Sequence, residues 1–547
     1  MSALRPRSRL ETHDVSNQPP PFEDVNLFTS DAALQDAVAA AGGEAHMARL
    51  SAFGAQAGSA ETAAWAMQAN ENPPRLKAFD RYGRRIDEVE FHPAYHRLMA
   101  LGIEAGVASA AWSGIAAGHV LHAGLEFLMA QAEPGVCCPM TMTSAAPAAL
   151  RFQPDLAAKW TPKIVASRYD PSSQPMHGKS GVTIGMAMTE KQGGSDVRAN
   201  TTRAVPRSDG GYALTGHKWF CSAPMSDAFL TLAYTDKGLT CFLAPRWTPD
   251  GERNAIHLMR LKDKLGDRAN ASAEIEYHDA YAEMVGEEGR GVRTIIEMVH
   301  YTRFDCILAP AAYMRQAVAN ALWHAAHRTA FQRKLIDQPL MRSLLADMAL
   351  ESEAATALAF CIARSLDGSA DERAAAFARI ATPIGKYWVN KRVVNLSYEA
   401  MEVHGGGGYI EDGVMTRIYR QSPINSIWEG SGNVVCLDIL RAIERDPHSA
   451  QALIAELENS RGANRLLDRA IDDAKAMVAG PHDEALARRL AETTALALQG
   501  TILVRKAPSF VSDAFCATRL CDHPGLSCGA IDAKIDVDAL INRAMPH

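Results

Sequence analysis

Apolar and polar positions change their spacing three times along the chain. From about residue 30 to 170 they recur at helical period with many alanines, as in HRLMALGIEAGVASAAWSGIAAGHVLHAGLEFLMAQ, which predicts closely packed helices. From about residue 182 the runs shorten to VTIGMAMTE, YALTGHKWFCSA, AFLTLAYT, LTCFLAPRW and SAEIEYHDA, divided by glycine and proline. These read as strands with turn chemistry between them, including a hairpin turn at SDGGY, and predict an antiparallel barrel or sandwich of ~100 residues. After GEEGRGV the helical period returns in IIEMVHYTRFDCILAPAAYMRQAVANALWHAAHR and QPLMRSLLADMALESEAATALAFCIARSL, whose length suits a helical bundle. ERDPH then marks a break, and a helical tail of ~100 residues follows. The expected architecture is mainly α with a central antiparallel β-barrel or sandwich: an N-terminal helical unit (1–181), a β unit (182–290), a bundle (291–446) and a C-terminal helical extension (447–547). Within the first unit, CCPMTMT predicts a helix starting after Pro139, with Cys137 and Cys138 in a packed turn before it.

Composition narrows the class. A chain of 547 residues is too long for one core. Its 47% hydrophobic and 22% charged residues are those of a soluble globular protein. No apolar run reaches the ~18 residues of a membrane span, and the basic opening MSALRPRSRLETHD lacks the apolar region of a signal peptide, so the expectation is a cytoplasmic protein without membrane attachment. Ten cysteines spread thinly, such as Cys241 and Cys361 in apolar contexts, predict reduced buried thiols. The cluster CATRLCDHPGLSC matches no common zinc spacing, and no metal is expected. A net charge of -7 excludes a global attraction for nucleic acid, so binding there would need a local basic patch.

Two stretches carry candidate chemistry. In MAMTEKQGGSDVRANT a strand ends at Thr189 and enters a turn of two glycines, a serine and an aspartate, which is either a capped turn or a place where backbone N–H groups approach a polar ligand. In NSIWEGSGNVVCLDILR, Glu429 stands between Trp428 and two glycines ahead of an apolar helix. It is either a carboxylate favouring the helix dipole, with Ser431 or Asn433 as cap, or a residue of an active site. No Gly-x-Gly-x-x-Gly fingerprint of a Rossmann site is present.

Together these parts resemble the acyl-CoA dehydrogenase flavoprotein family over residues 30 to 445. The family's first signature is matched by Ala187, Met188, Thr189, Glu190, Gly193, Gly194, Ser195, Asp196 and Ala199; the second, around EVHGGGGYIEDGVMTR, departs at Gln421. NQPPPF, NENPP, RYGRRIDEVEFHPAYH, CCPMTMT, RLKDKLGDRANAS, TRFDC and NSIWEGSGN, with the tail, are similar to its AidB-type alkylation-response branch.

The resemblance implies extended FAD between barrel and bundle of a homotetramer. Met186, Met188, Thr189, Gly194, Ser195, Trp219, Phe220, Cys221 and Ser222 would line the flavin, and Ile427, Trp428, Gly430, Ser431 and Asn433 would complete its surroundings. Cys221 stands where the family has a threonine hydroxyl near the reactive flavin nitrogen, and a thiol is a weak donor. Arg328, Phe331 and Gln338 would hold the dinucleotide across a subunit contact, with Gln332 in place of the family's glycine, while Gly405 and Gly406 would let the neighbouring FAD approach. Glu429 becomes the base that removes the proton beside a thioester carbonyl, a role that burial suits by raising its pKa. Arg303 is expected near the cofactor pocket in an ion pair. The branch further implies non-specific binding and protection of double-stranded DNA, with weak acyl-CoA dehydrogenase activity, and Arg441, Arg461, Arg465, Arg469, Arg488 and Arg489 as phosphate contacts. Acidic residues interleave with them, so a salt-bridged surface is the other reading of the tail. The alternative function is an ordinary dehydrogenase of a branched or bulky acyl-CoA.

Overall fold

The computed structural model describes residues 8–208, 210–532 and 534–547. Asp209, inside the expected SDGGY turn, and the first seven residues of the basic opening lie outside the described residues.

The N-terminal region is helical as its period predicts, and every residue of the Gly118–Ala132 helix is buried. Two local expectations change. The CCPMTMT helix begins at Cys137, not after Pro139, because a proline in the first turn gives up only an N–H that has no intrahelical partner. The region also carries a hairpin of β1 (Arg75–Phe79) and β2 (Arg85–Glu90). Its sequence is thick with arginines and carboxylates, so apolar periodicity does not reveal it. Polar pairing holds it to the next unit: Arg85 Nη2 donates to Leu258 O at 2.9 Å, and Leu258 N donates to Asp87 Oδ1 at 2.8 Å.

The β unit comprises β3 (Ile184–Ala187), β4 (Arg203–Pro206), β5 (Tyr212–Ser222), β6 (Ala228–Thr235), β7 (Gly238–Pro245), β8 (Ile256–Leu261) and β9 (Ser272–Val285). They form one seven-stranded sheet in the order β3-β6-β4-β5-β9-β7, with β8 on β9, and β6 pairing with β7 closes the ring. Most pairings are antiparallel as expected, but β3 and β4 each run parallel to β6. In β5 the register to β9 jumps from Lys218↔Ile275 to Cys221↔Ala273, so Trp219 and Phe220 share one partner position in a bulge.

Three long helices, Gly291–His327, Pro339–Asp367 and Glu372–Val403, build the bundle, and Gly432–Arg445 completes it. The extension begins with Pro447–Glu458, whose first turn is set by Pro447 and capped by Asp446. Its helices share one apolar core with the bundle. Buried polar contacts fasten it further: Arg519 meets Asp347 at 2.6 Å and Glu351 at 3.1 Å, and Trp388 Nε1 donates to Gln499 Oε1 at 3.0 Å. Among the described residues no helix is long and apolar enough to cross a membrane.

Candidate active site

Glu429 lies ahead of the Gly432–Arg445 helix, in the left-handed region at φ 57°, followed by Gly430 at φ 105°. It is therefore not a first-turn carboxylate, and Ser431, although at the N-cap, makes no side-chain capping bond. A non-glycine residue at such a φ is strained and needs its surroundings to hold it. Lys386 Nζ donates to Trp428 O at 2.7 Å and Gly430 O at 2.6 Å, Arg303 Nε donates to Glu429 O at 2.8 Å, and Trp428 Nε1 donates to Asn425 Oδ1 at 2.8 Å. Arg303 is itself ion-paired as expected, 2.7 Å from Asp438, which also binds Arg379 at 2.9 Å.

The Glu429 carboxylate faces Thr302, whose Oγ1 lies 3.0 Å from Oε2 and 3.1 Å from Val299 O. One hydroxyl proton serves both states of the acid: it donates to the carboxylate, or turns to Val299 O and accepts from a protonated Glu429. Burial raises the Glu429 pKa, and the Thr302 bond with the more distant Lys386 and Arg303 charges offsets part of that rise. Among the described residues Glu429 has no ion-pair partner. Trp428 packs in an apolar cluster with Cys138, Met142, Met186 and Met188, and the Cys138 thiol neighbours Ser222 and Glu429.

On the barrel side, Trp219 N donates to Thr189 O at 2.8 Å, tying the bulge to the end of β3. A buried pair fixes both: Lys218 Nζ reaches Glu190 Oε1 at 2.8 Å and Leu232 O at 2.7 Å, while Glu190 also accepts from Thr201 N at 2.7 Å and Thr202 Oγ1 at 2.6 Å. The Gly194 and Ser195 turn beyond it is exposed, as is Phe220 at 50%. Lys262 Nζ lies 3.2 Å from the centre of the Trp219 ring. Cys221 does not join this face. Because the bulge shifts the alternation, its thiol packs in the barrel core with Ala273 and Tyr277, and the outward hydroxyl belongs to Ser222, 3.0 Å from Ser272 Oγ.

Arg328, Phe331, Gln338, Gly405 and Gly406 gather in a second group. Thr329–Ala330 pairs with Arg333–Lys334 around Phe331 and Gln332, both at positive φ (50° and 65°), so Gln332 occupies a left-handed position that favours glycine. Gln338 Nε2 donates to Ala330 O at 3.0 Å, and Arg328 Nη1 to Asn17 O at 2.5 Å. The His324 and His404 rings, 4.6 Å apart, bring the exposed Gly405–Tyr409 turn alongside. Of the arginines considered for DNA, Arg461 binds Glu458 and Asp472, Arg469 binds Asp522, and Arg488 Nε donates to Asn433 Oδ1 at 2.8 Å. Arg441, Arg465 and Arg489 are exposed and have no ion pair among the described residues.

Comparison with known proteins accounts for this arrangement. The adaptive response protein AidB N-terminal domain matches residues 17–171, the acyl-CoA dehydrogenase middle domain residues 185–280, and the acyl-CoA dehydrogenase C-terminal domain residues 289–444. The chain is 44% identical to the putative acyl-CoA dehydrogenase AidB of Escherichia coli K12 over 94% of its own length and 96% of that protein's. The chain belongs to the acyl-CoA dehydrogenase family. Among solved structures it is similar to the apo form of Bd2924, at 30% identity and a TM-score of 0.81 over 90% of this chain and 99% of that one. It is also similar to Caenorhabditis elegans ACDH-11 in complex with C11-CoA, at 26% identity and a TM-score of 0.82 over 100% and 95%.

Membership of the acyl-CoA dehydrogenase family makes FAD the cofactor. The residues present fit it: an outward aromatic bulge beside a glycine turn, Ser222 facing outward, and Ile427 60% exposed next to Glu429 offer apolar faces and hydroxyls to a flat polar ring. Thr302 and Lys386 were not singled out from sequence. The one signal for Lys386 is a charge inside the apolar run ATPIGKYWV, on a helix remote in sequence from the turn it holds.

Proposed function

We propose that this flavoprotein dehydrogenates the Cα–Cβ bond of an acyl-CoA, with Glu429 taking the α-proton. The observation that carries this is a carboxylate held at φ 57° with raised pKa, hydrogen-bonded to Thr302 and free of any cation in contact. A carboxylate whose pKa is raised by burial is a stronger base than one held down by an ion pair. FAD bound against the barrel supplies the hydride acceptor. The chain's part is to take the proton at Glu429, to exclude water with Trp428 and its apolar neighbours, and to meet the acyl chain with Cys138 and with Met142, Met186 and Met188, the flexible thioethers of these three methionines suiting a bulky or branched chain. The test is anaerobic bleaching of the flavin by C11-CoA and by branched acyl-CoA thioesters; no bleaching by any of them, with the thioester bound, ends the proposal. Assembly as a homotetramer is supported by the exposed apolar side chains of Phe331 (93%), Leu340 (88%) and Tyr409 (81%), and sedimentation measures it.

A second reading, association with double-stranded DNA, is supported by similarity to an adaptive response protein and by the exposed Arg441, Arg465 and Arg489, which have no ion pair among the described residues. If each neutralises one phosphate, log K falls with log salt at a slope of about −3. Absence of binding to duplex DNA at low salt removes this reading and leaves the first untouched.

A further inference from the structure

Three successive carbonyls of the turn, those of Trp428, Glu429 and Gly430, face cations: Lys386 takes the outer two at 2.7 and 2.6 Å and Arg303 the middle one at 2.8 Å. A trans peptide is planar with its N–H opposite its carbonyl, so the N–H groups of Glu429, Gly430 and Ser431 point away from those cations. Among the described residues none of the three makes a hydrogen bond. Glu429 and Gly430 are half-buried and Ser431 is exposed, so these N–H groups face the open side of the turn, and consecutive ones around a left-handed residue form an anion-binding concavity.

We propose that Lys386 is a positioning residue that keeps the peptides flanking Glu429 reversed, so that their N–H groups seat the oxygen of a thioester as it becomes an enolate. This rests on the dehydrogenase reading above. In the step it serves, the Cα–H bond breaks, the proton passes to a Glu429 carboxylate oxygen, and the electron pair moves onto the thioester oxygen facing the N–H groups. Lys386 is 1% exposed, and among the described residues the hydrogen bonds of its ammonium go to those two backbone carbonyls and to no side chain. The groups facing it are Cys306 and Arg303 from the Gly291–His327 helix, Glu429 from the turn, and Lys391 from its own helix; burial brings its ammonium down to about 8. A neutral amine donates more weakly than an ammonium, so the seat loosens as that charge is lost.

The probe is 3-thiaoctanoyl-CoA added to the FAD-loaded full chain. Its α-proton is acidified by thioester and sulfur, and it has no hydrogen at the β-position, so long-wavelength charge-transfer absorption against oxidised flavin reads deprotonation alone. Lys386→Met is expected to weaken that band at least about tenfold at neutral pH with FAD still bound. In the unaltered protein the band is expected to fall by about half or more as the pH rises from about 7 to about 10. A band within about twofold in Lys386→Met, or one that stays flat to alkaline pH in the unaltered protein, overturns the assignment. The second measurement decides alone if the variant fails to fold or to hold FAD. No band in the unaltered protein with the probe bound overturns the dehydrogenase reading itself, whereas a band lost in Glu429→Gln and kept in Lys386→Met overturns only the role of Lys386.

Discussion

Two regions of the molecule each place a buried lysine beside a glutamate, with opposite results. In the barrel Lys218 meets Glu190 head to head at 2.8 Å, and although burial works to raise the carboxylate's pKa, the ammonium and the Thr201 and Thr202 donors hold it at about 2. In the bundle Lys386 passes by the carboxylate of Glu429 and binds the carbonyls on either side, so burial prevails there and the pKa rises. Where the charges touch, the glutamate is an anchor; where the cation is engaged by backbone, the glutamate is left able to accept a proton. Burial also pulls the Lys218 ammonium down, so the barrel pair adds little net stability, but neither partner tolerates loss of the other.

The contrast is broken most strongly at its functional end. Glu429→Gln is expected to slow thioester-dependent flavin bleaching by about 10²–10⁴-fold without shifting the thermal midpoint; a matching loss of stability would make Glu429 an anchor too. Lys218→Met strands a buried carboxylate and is expected to cost about 3–5 kcal/mol in urea unfolding. A cost below about 1 kcal/mol would mean that Glu190 finds its support elsewhere.

Acid sharpens the comparison. The folded pKa of Glu190 is depressed, so its contribution is present above the unfolded value of about 4.3 and is lost as the pH falls towards about 2; unfolding curves of the unaltered protein and Glu190→Gln should converge there. Thr302→Val removes a bond that lowers the Glu429 pKa, so the acid limb of the rate profile should move to higher pH. The charge-assisted bond to the carboxylate exceeds the neutral bond of the protonated acid by about 0.5–1.5 kcal/mol, which corresponds to roughly 0.5–1 pH unit. The smallest effect concerns neither lysine: Gln332→Gly relieves a left-handed residue and should stabilise by at most about 1 kcal/mol.

Motifs that act locally were legible in the sequence. The turn after Thr189, the KWF strand and the WEG turn announce their own backbone through glycines and alternation, and the five longest apolar runs of the β unit all became strands. What escaped depends on register or on distant pairing. A single bulge exchanged the faces of Cys221 and Ser222, and no count of alternation along β5 alone locates such an insertion. The β1 and β2 hairpin is held by Asp87 and Arg85 to a strand about 170 residues later, and Lys386 finds its carbonyls more than 40 residues away. In the extension, sequence lists the charges but not their partners: Arg461 and Arg469 are ion-paired, while Arg465, between them, has no ion pair among the described residues.

The closing helix, Val537–Ala544, has a bearing on how the molecule is made. Arg543 reaches Asp36 in the Ala32–Ala40 helix at 2.6 Å, across 507 residues, and Arg315 binds both Ser30 O and Ala544 O at 2.7 Å. During translation the first helix therefore waits for its last partner, and at about 5–20 residues per second the wait is roughly 25–100 s. Its apolar side docks earlier, on the Pro339–Asp367 helix, so what the wait withholds is the polar tie through Asp36 and not the seat of its core.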